Sequence, residues 1–60
     1  MKSYYVTLYY GYWDLDLGVA RIVAEDEDKA VAIAKTYCKD MIGDHIEAKD
    51  LTLVKVEERE

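Results

Sequence analysis

Between Tyr4 and Tyr10 the chain alternates, with Tyr4, Val6, Leu8 and Tyr10 on one side and Tyr5, Thr7 and Tyr9 on the other, which is the period of a β-strand. Gly11, Tyr12, Trp13 and Asp14 then combine a permissive glycine with a turn-forming aspartate. A second strand-like run follows from Leu15 to Ala24, so the two runs predict a β-hairpin. At Asp26 the period lengthens to that of a helix. Asp26 is placed to cap the first turn, and Glu27 and Asp28 lie where the helix dipole favours negative charge. Ala30, Ile33, Ala34, Tyr37, Cys38 and Met41 share one face, with Val31 and Ile42 at its margin, while Lys35, Thr36, Lys39 and Asp40 point away. Gly43 suits the left-handed residue that ends a helix.

Asp44 to Lys49 forms a polar connection with Ile46 as its one sizeable apolar residue, and Leu51 to Val56 reads as a third strand. Its alternation slips, because Leu51 and Leu53 share one phase while Val54 and Val56 share the other, which predicts a bulge or burial on both faces. The order ββαβ predicts one α+β domain over residues 1–60, a three-stranded antiparallel sheet ordered 2-1-3 with one helix packed on one face. A right-handed crossover through the helix brings strand three beside strand one in this arrangement. Ala20, Ile22 and Ala24 suit close approach of the helix, which turns Leu15, Leu17, Val19 and Val23 outward. Together with Tyr5, Thr7, Tyr9, Val54 and Val56 they would form an apolar, tyrosine-rich outer face larger than a small monomer usually exposes.

Size and charge sharpen this picture. A chain of 60 residues buries only about 60% of the surface its unfolded form exposes. Cores of this size supply roughly 3 to 5 kcal/mol, so dimerisation would be a useful supplement. Thirteen acidic residues against 8 basic ones give a net charge of minus five, which disfavours direct nucleic-acid binding and suits a partner with a basic groove. Cys38 is the sole cysteine, so no internal disulfide forms. Met1, Lys2 and Ser3 lead directly into strand sequence without a leader's apolar region, and no apolar run approaches the ~20 residues needed to cross a bilayer. The expected compartment is the cytoplasm, without membrane insertion.

Six of the seven aromatic residues, Tyr4, Tyr5, Tyr9, Tyr10, Tyr12 and Trp13, lie within the first 13 positions. Tyrosine and tryptophan give large contact area at low entropic cost, which makes this cluster a candidate partner surface, with Trp13 at the turn as its exposed anchor. Half of such residues would serve equally well as ordinary strand packing. An aromatic strand also stacks bases in single-strand binders, but those sheets carry a basic groove, whereas here Asp14, Asp16 and Glu57 offset Lys2, Arg21 and Lys55. The run Glu25, Asp26, Glu27, Asp28, with Asp14 and Asp16, has the charge to imitate a nucleic acid, although capping and dipole stabilisation account for much of it locally.

Catalytic and metal chemistry find little support. Cys38 lies on the apolar helix face, and no spacing sets His45 near it or in a triad with Ser3, the only serine. One cysteine and one histidine do not close a zinc site, and the pair Asp14 and Asp16 has too few ligands for calcium. Gly11, Gly18 and Gly43 are scattered, so there is no phosphate-binding loop. No enzyme activity, cofactor or metal is expected.

The stretch Ile22-Val23-Ala24-Glu25-Asp26-Glu27-Asp28-Lys29-Ala30 resembles a strand-to-helix pattern of short phage and mobile-element proteins, some anti-CRISPR proteins among them. The likeness covers strand two through the helix, about half of the chain. It implies a non-catalytic inhibitor that occupies a nucleic-acid or partner site on a larger complex. Lys29 departs from the acidic residue common at that place, so no functional residue carries over. Two functional expectations result. The first is an acidic module that binds a larger protein or nucleoprotein complex through Tyr5, Tyr9, Tyr12, Trp13, Asp14, Asp16, Glu25 and Glu27. The alternative is a homo-oligomeric structural or regulatory domain whose open sheet faces pack together through Tyr5, Tyr9, Leu17 and Val19.

Overall fold

The computed structural model describes residues 1–43 and 46–59, Ala48 by its backbone alone. His45 therefore lies outside the described residues. Strands β1 (Lys2–Tyr10) and β2 (Leu15–Ala24) form the hairpin, helix α1 (Glu27–Ile42) follows, and a single 3-10 turn at Ala48–Asp50 leads into β3 (Leu51–Arg59). The sheet is ordered β2-β1-β3, and β1 runs antiparallel to both neighbours. This is the α+β, ββαβ arrangement that the periodicity predicts. β3 extends past Val56 because Glu57, Glu58 and Arg59 still pair with Tyr5, Tyr4 and Ser3. An edge strand keeps its backbone ladder even where its side chains are charged, so hydrophobic alternation understates its length.

The core is built on β1. Tyr4, Val6, Leu8 and Tyr10 point inward and are buried, flanked by Val19, Ile22 and Ala24 from β2 and by Ile46 and Leu51. The helix contributes Ala30, Ala34 and Cys38 as its fully buried residues, spaced four apart on one face, with Val31 and Ile42 packed partly buried against the core. These small side chains let the helix backbone lie close above the bulky residues of β1. Among the described residues no buried side-chain nitrogen or oxygen lacks a hydrogen-bond partner.

Two bulges decide which side chains face the helix. Across β1 and β2, Tyr4 pairs with Ile22 and Val6 with Val19, so Tyr5 alone faces both Ala20 and Arg21. Residues paired across an antiparallel ladder share a face, and one extra residue reverses the phase of everything beyond it. Val19 is accordingly buried, Leu17 is half-buried against the core, and Leu15 lies on the same side, opposite Tyr10. The expected outward placement of Leu15, Leu17 and Val19 is therefore corrected: they belong to the helix side, Ala20 is exposed, and only Val23 of that set faces out. Arg21 takes a left-handed backbone with φ 61°, a conformation that costs a residue with a side chain about 1 kcal/mol or more.

The second bulge is the one that the slipped alternation of β3 anticipates. Leu8 pairs with Leu53 and Thr7 with Lys55, which leaves Val54 as the extra residue. Val56 then falls opposite Val6 on the helix side and is half-buried, so it does not join the outer face, while Val54 stays exposed.

Helix α1 begins as expected. The Asp26 carboxylate accepts from the Lys29 amide at 2.9 Å, and the Asp26 carbonyl accepts from the Ala30 amide at 3.1 Å. At the other end Gly43 adopts φ 138° and ψ 163°, not the compact left-handed geometry expected, while its amide donates to the Lys39 carbonyl at 2.8 Å. The chain thus leaves the helix extended, in a region open essentially to glycine. The broad apolar face also divides. Ile33, Tyr37 and Met41, assigned to the buried face by periodicity, are 46, 53 and 56% exposed. A single helix over a narrow sheet covers an arc too small to take in both rows.

Replacing Asp26 by Ala removes the cap and should cost about 1 kcal/mol in urea denaturation. Gly43→Ala should cost at least ~1 kcal/mol by the same measurement, because a Cβ is strained at positive φ.

Candidate protein-binding surface at the hairpin tip

Residues Gly11 to Asp14 join β1 to β2 through two overlapping turns. The Trp13 amide donates to the Tyr10 carbonyl at 3.3 Å and the Asp14 amide to the Gly11 carbonyl at 3.2 Å. Asp14 closes the loop at φ 50°, which aspartate tolerates better than most residues. Buried Tyr10 is the seat of the tip. The Tyr12 ring lies 5.5 Å from it in a tilted arrangement, and the Trp13 ring 5.2 Å away edge-on. Both are favourable aromatic geometries. Tyr12 and Trp13 are thus held in place while remaining 78 and 56% exposed.

Acidic groups border this aromatic pair. The Tyr9 hydroxyl donates to the Asp14 carboxylate. That bond, then burial, then the negative charges of Asp14 and Asp16, push the Tyr9 phenol above its ordinary value. Asp50 lies on the other side of Tyr12. Its carboxylate accepts from the Glu47 amide at 3.0 Å and its own amide donates to the Glu47 carbonyl at 2.9 Å, fixing the 3-10 turn. Burial first, then Asp50 and Tyr12, raise the Tyr10 phenol as well.

The outer face of the sheet differs from the apolar surface expected. The Tyr5 ring lies across Gly18, where a Cβ would come within 2.9 Å of Tyr5 Cζ. The Arg59 guanidinium sits 5.5 Å from the Tyr5 ring centroid, a cation–π distance. Glu57, opposite Tyr5, contacts Lys55 and Arg59 at 3.2 Å each. Hydrogen bonds from Lys55 and then Arg59 hold its carboxyl below the usual range. Tyrosines on this face are therefore half-covered and ringed by charge.

Of the residues expected to bind a partner, Tyr9, Tyr12, Trp13, Asp14 and Asp16 gather at or beside the tip, Asp16 pairing with Tyr9. Tyr5 sits farther along β1. Glu25 and Glu27 lie at the opposite end of the hairpin, with Asp26, Asp28 and Glu58 around them. The β2 residues 17–24 separate Asp16 from Glu25, roughly 30 Å of strand. The acids thus form two patches and the expected set does not converge. Glu25 is also paired with Lys29 at 3.2 Å. The oligomer set fails as one surface too, because Leu17 and Val19 lie on the helix side of the sheet and Tyr5 and Tyr9 on the other.

Ile46, in sequence only the apolar residue of a polar connection, and Asp50 both border the tip beside Tyr12. Leu51 pairs with Tyr10, so the order 2-1-3 by itself carries the residues before β3 to the hairpin turn. Cys38 is buried among apolar residues, and burial pushes its thiol up, away from the thiolate that nucleophilic chemistry needs. No group of three or more metal-ligating side chains occurs among the described residues, and no described helix is long and apolar enough to cross a membrane. Comparison with protein-family models, curated proteins and solved structures found no match for this chain.

Because the Tyr9 phenol is raised, the bond to Asp14 contributes fully below the ordinary tyrosine pKa and is lost as pH rises through the higher folded value. In an ultraviolet titration Tyr9→Phe should remove one of the late-ionising phenols of the native protein. Equal ionisation curves for wild type and variant in the late region would contradict the Tyr9 to Asp14 bond. Cys38 should react with a thiol reagent at mildly alkaline pH only as fast as the protein opens, and rapidly once denatured.

Proposed function

We propose that this protein is a small, non-catalytic binding module that docks onto a larger protein or nucleoprotein complex through its hairpin tip. The observation that carries this reading is the pair Tyr12 and Trp13, largely exposed yet fastened by ring contacts to buried Tyr10. Rigid exposed aromatics lose little entropy on binding and are the residues that dominate interface energetics. Asp14, Asp16 and Asp50 beside them favour a basic cleft on the partner, where complementary charge speeds and orients the encounter.

An inhibitor of the anti-CRISPR kind, occupying a site that otherwise holds nucleic acid, is the particular form of this reading that the acidic balance and the strand-to-helix pattern support. The acidic patch around Glu25 and Glu27 is remote from the tip. The contact at the tip is accordingly expected to be aromatic at its centre and acidic at its rim, not an extended imitation of a phosphate backbone.

Tagged protein should capture its partner from a bacterial lysate and release it in a salt gradient, since screening weakens the acidic contribution. Tyr12→Ala and Trp13→Ala should each weaken capture about tenfold or more, while Glu27→Ala should leave it nearly unchanged. Retention of the same partner by the double variant Tyr12→Ala, Trp13→Ala would overturn the proposed contact.

A further inference from the structure

Three large apolar side chains of the helix are about half exposed outside the core. Ile33, Tyr37 and Met41, four residues apart, form an exposed stripe beside β2, and a groove runs between this stripe and residues 18–23. β2 is an edge strand, with no neighbouring strand beyond it among the described residues. An open ladder and an apolar helical stripe therefore occupy one side of the molecule, and the tip lies outside it.

From this placement we infer that a second copy of the chain covers this side, β2 pairing antiparallel with its counterpart and the two helices lying side by side on the same face of a six-stranded sheet. Spacing fits. Strands stand ~4.8 Å apart, so helices packed over β2 and β1 of each copy come to rest about two strand spacings, ~10 Å, from one another, the distance at which helices pack.

Charge selects the register. Arg21 and Asp16 are both exposed, and neither has an ion-pair partner among the described residues. Both belong to the outer phase of β2, since Asp16 pairs with Tyr9 and Arg21 sits at the bulge opposite Tyr5. In a pairing centred on Gly18, Leu17 meets Val19 of the second copy and Asp16 meets the Arg21 bulge, so a two-fold axis creates two ion pairs from one unpaired acid and one unpaired base. The bulge bounds this short ladder without interrupting it.

The other edge is unsuited to the same association. β3 is broken within its length by the Val54 bulge, and the helix flank opposite Tyr37 carries Lys35 and Lys39, which two copies would bring together as like charges. A standard interface takes about 800 Å² from each partner, close to a fifth of the 4200 Å² that this chain exposes. A whole side of the molecule meets that need, and the β2 side is the one with an apolar stripe along it. Antiparallel pairing of β2 would point the two hairpin tips in opposite directions.

Sedimentation equilibrium from about 1 to 500 µM should show the wild-type chain as a dimer through most of the range. Tyr37→Lys should be monomeric at about 100 µM with its far-ultraviolet helix signal retained, since Tyr37 is half exposed in the single chain. Asp16→Arg and Arg21→Asp should each weaken association about tenfold, and the double exchange Asp16→Arg, Arg21→Asp should restore it. Restoration by the exchange supports the seam even if Tyr37→Lys fails to fold. A wild-type monomer at about 500 µM, a dimer unaffected by Tyr37→Lys, or single and double charge variants that associate alike would overturn the inference.

Discussion

Everything in this small fold is arranged around the inward row of its central strand. β1 is hydrogen-bonded on both sides, and Tyr4, Val6, Leu8 and Tyr10 supply much of the bulk of the core. With so much volume on the strand, the helix that covers it meets it with Ala30, Ala34 and Cys38. Close-packed interiors tolerate neither voids nor overlap, so bulk on one layer is matched by small residues on the other. The consequence is felt outside the core. Three large apolar residues of the helix, Ile33, Tyr37 and Met41, are displaced to its flank beside the open edge of β2, while Ile42 stays partly buried against the core.

The same central strand explains why both edges are bulged. Each partner of β1 has one residue too many for strict alternation, Ala20 or Arg21 in β2 and Val54 in β3. In β2 the bulge brings Leu17 and Val19 to the helix side while keeping Ile22 and Ala24 there too. Both halves of a strand with opposite phases thus bury their apolar residues, at the expense of an unfavourable backbone at Arg21. What remains outside is Tyr5 over Gly18, framed by Arg59 and Glu57.

The proposed function rests on what the core holds in place. Tyr10 ends the inward row, and its buried ring makes a rigid seat for Tyr12 and Trp13 beyond the helix's reach. A tip built this way is ordered before any partner arrives, which suits recognition and requires no chemistry from the residues involved. The described residues bring no nucleophile and base together, and Cys38 is committed to packing.

The strand and helix periods, the Asp26 cap and the order of elements were all written in local sequence, because capping and amphipathic alternation act over a few residues. The slip at Leu53 and Val54 was legible for the same reason. β2 carries an equivalent slip, odd-numbered Leu15, Leu17 and Val19 against even-numbered Ile22 and Ala24, yet Ala20, Ile22 and Ala24 read together predict a single helix-facing phase. Only pairing with β1, in which Val6 and Tyr4 claim Val19 and Ile22, decided that both sets turn inward. Tertiary structure alone likewise split the helix face into a buried row and an exposed one, divided the acids between two ends, and carried Ile46 and Asp50 to the tip. Local sequence specifies how each segment repeats. Which of its faces is covered depends on the width and register of the neighbours against which it packs.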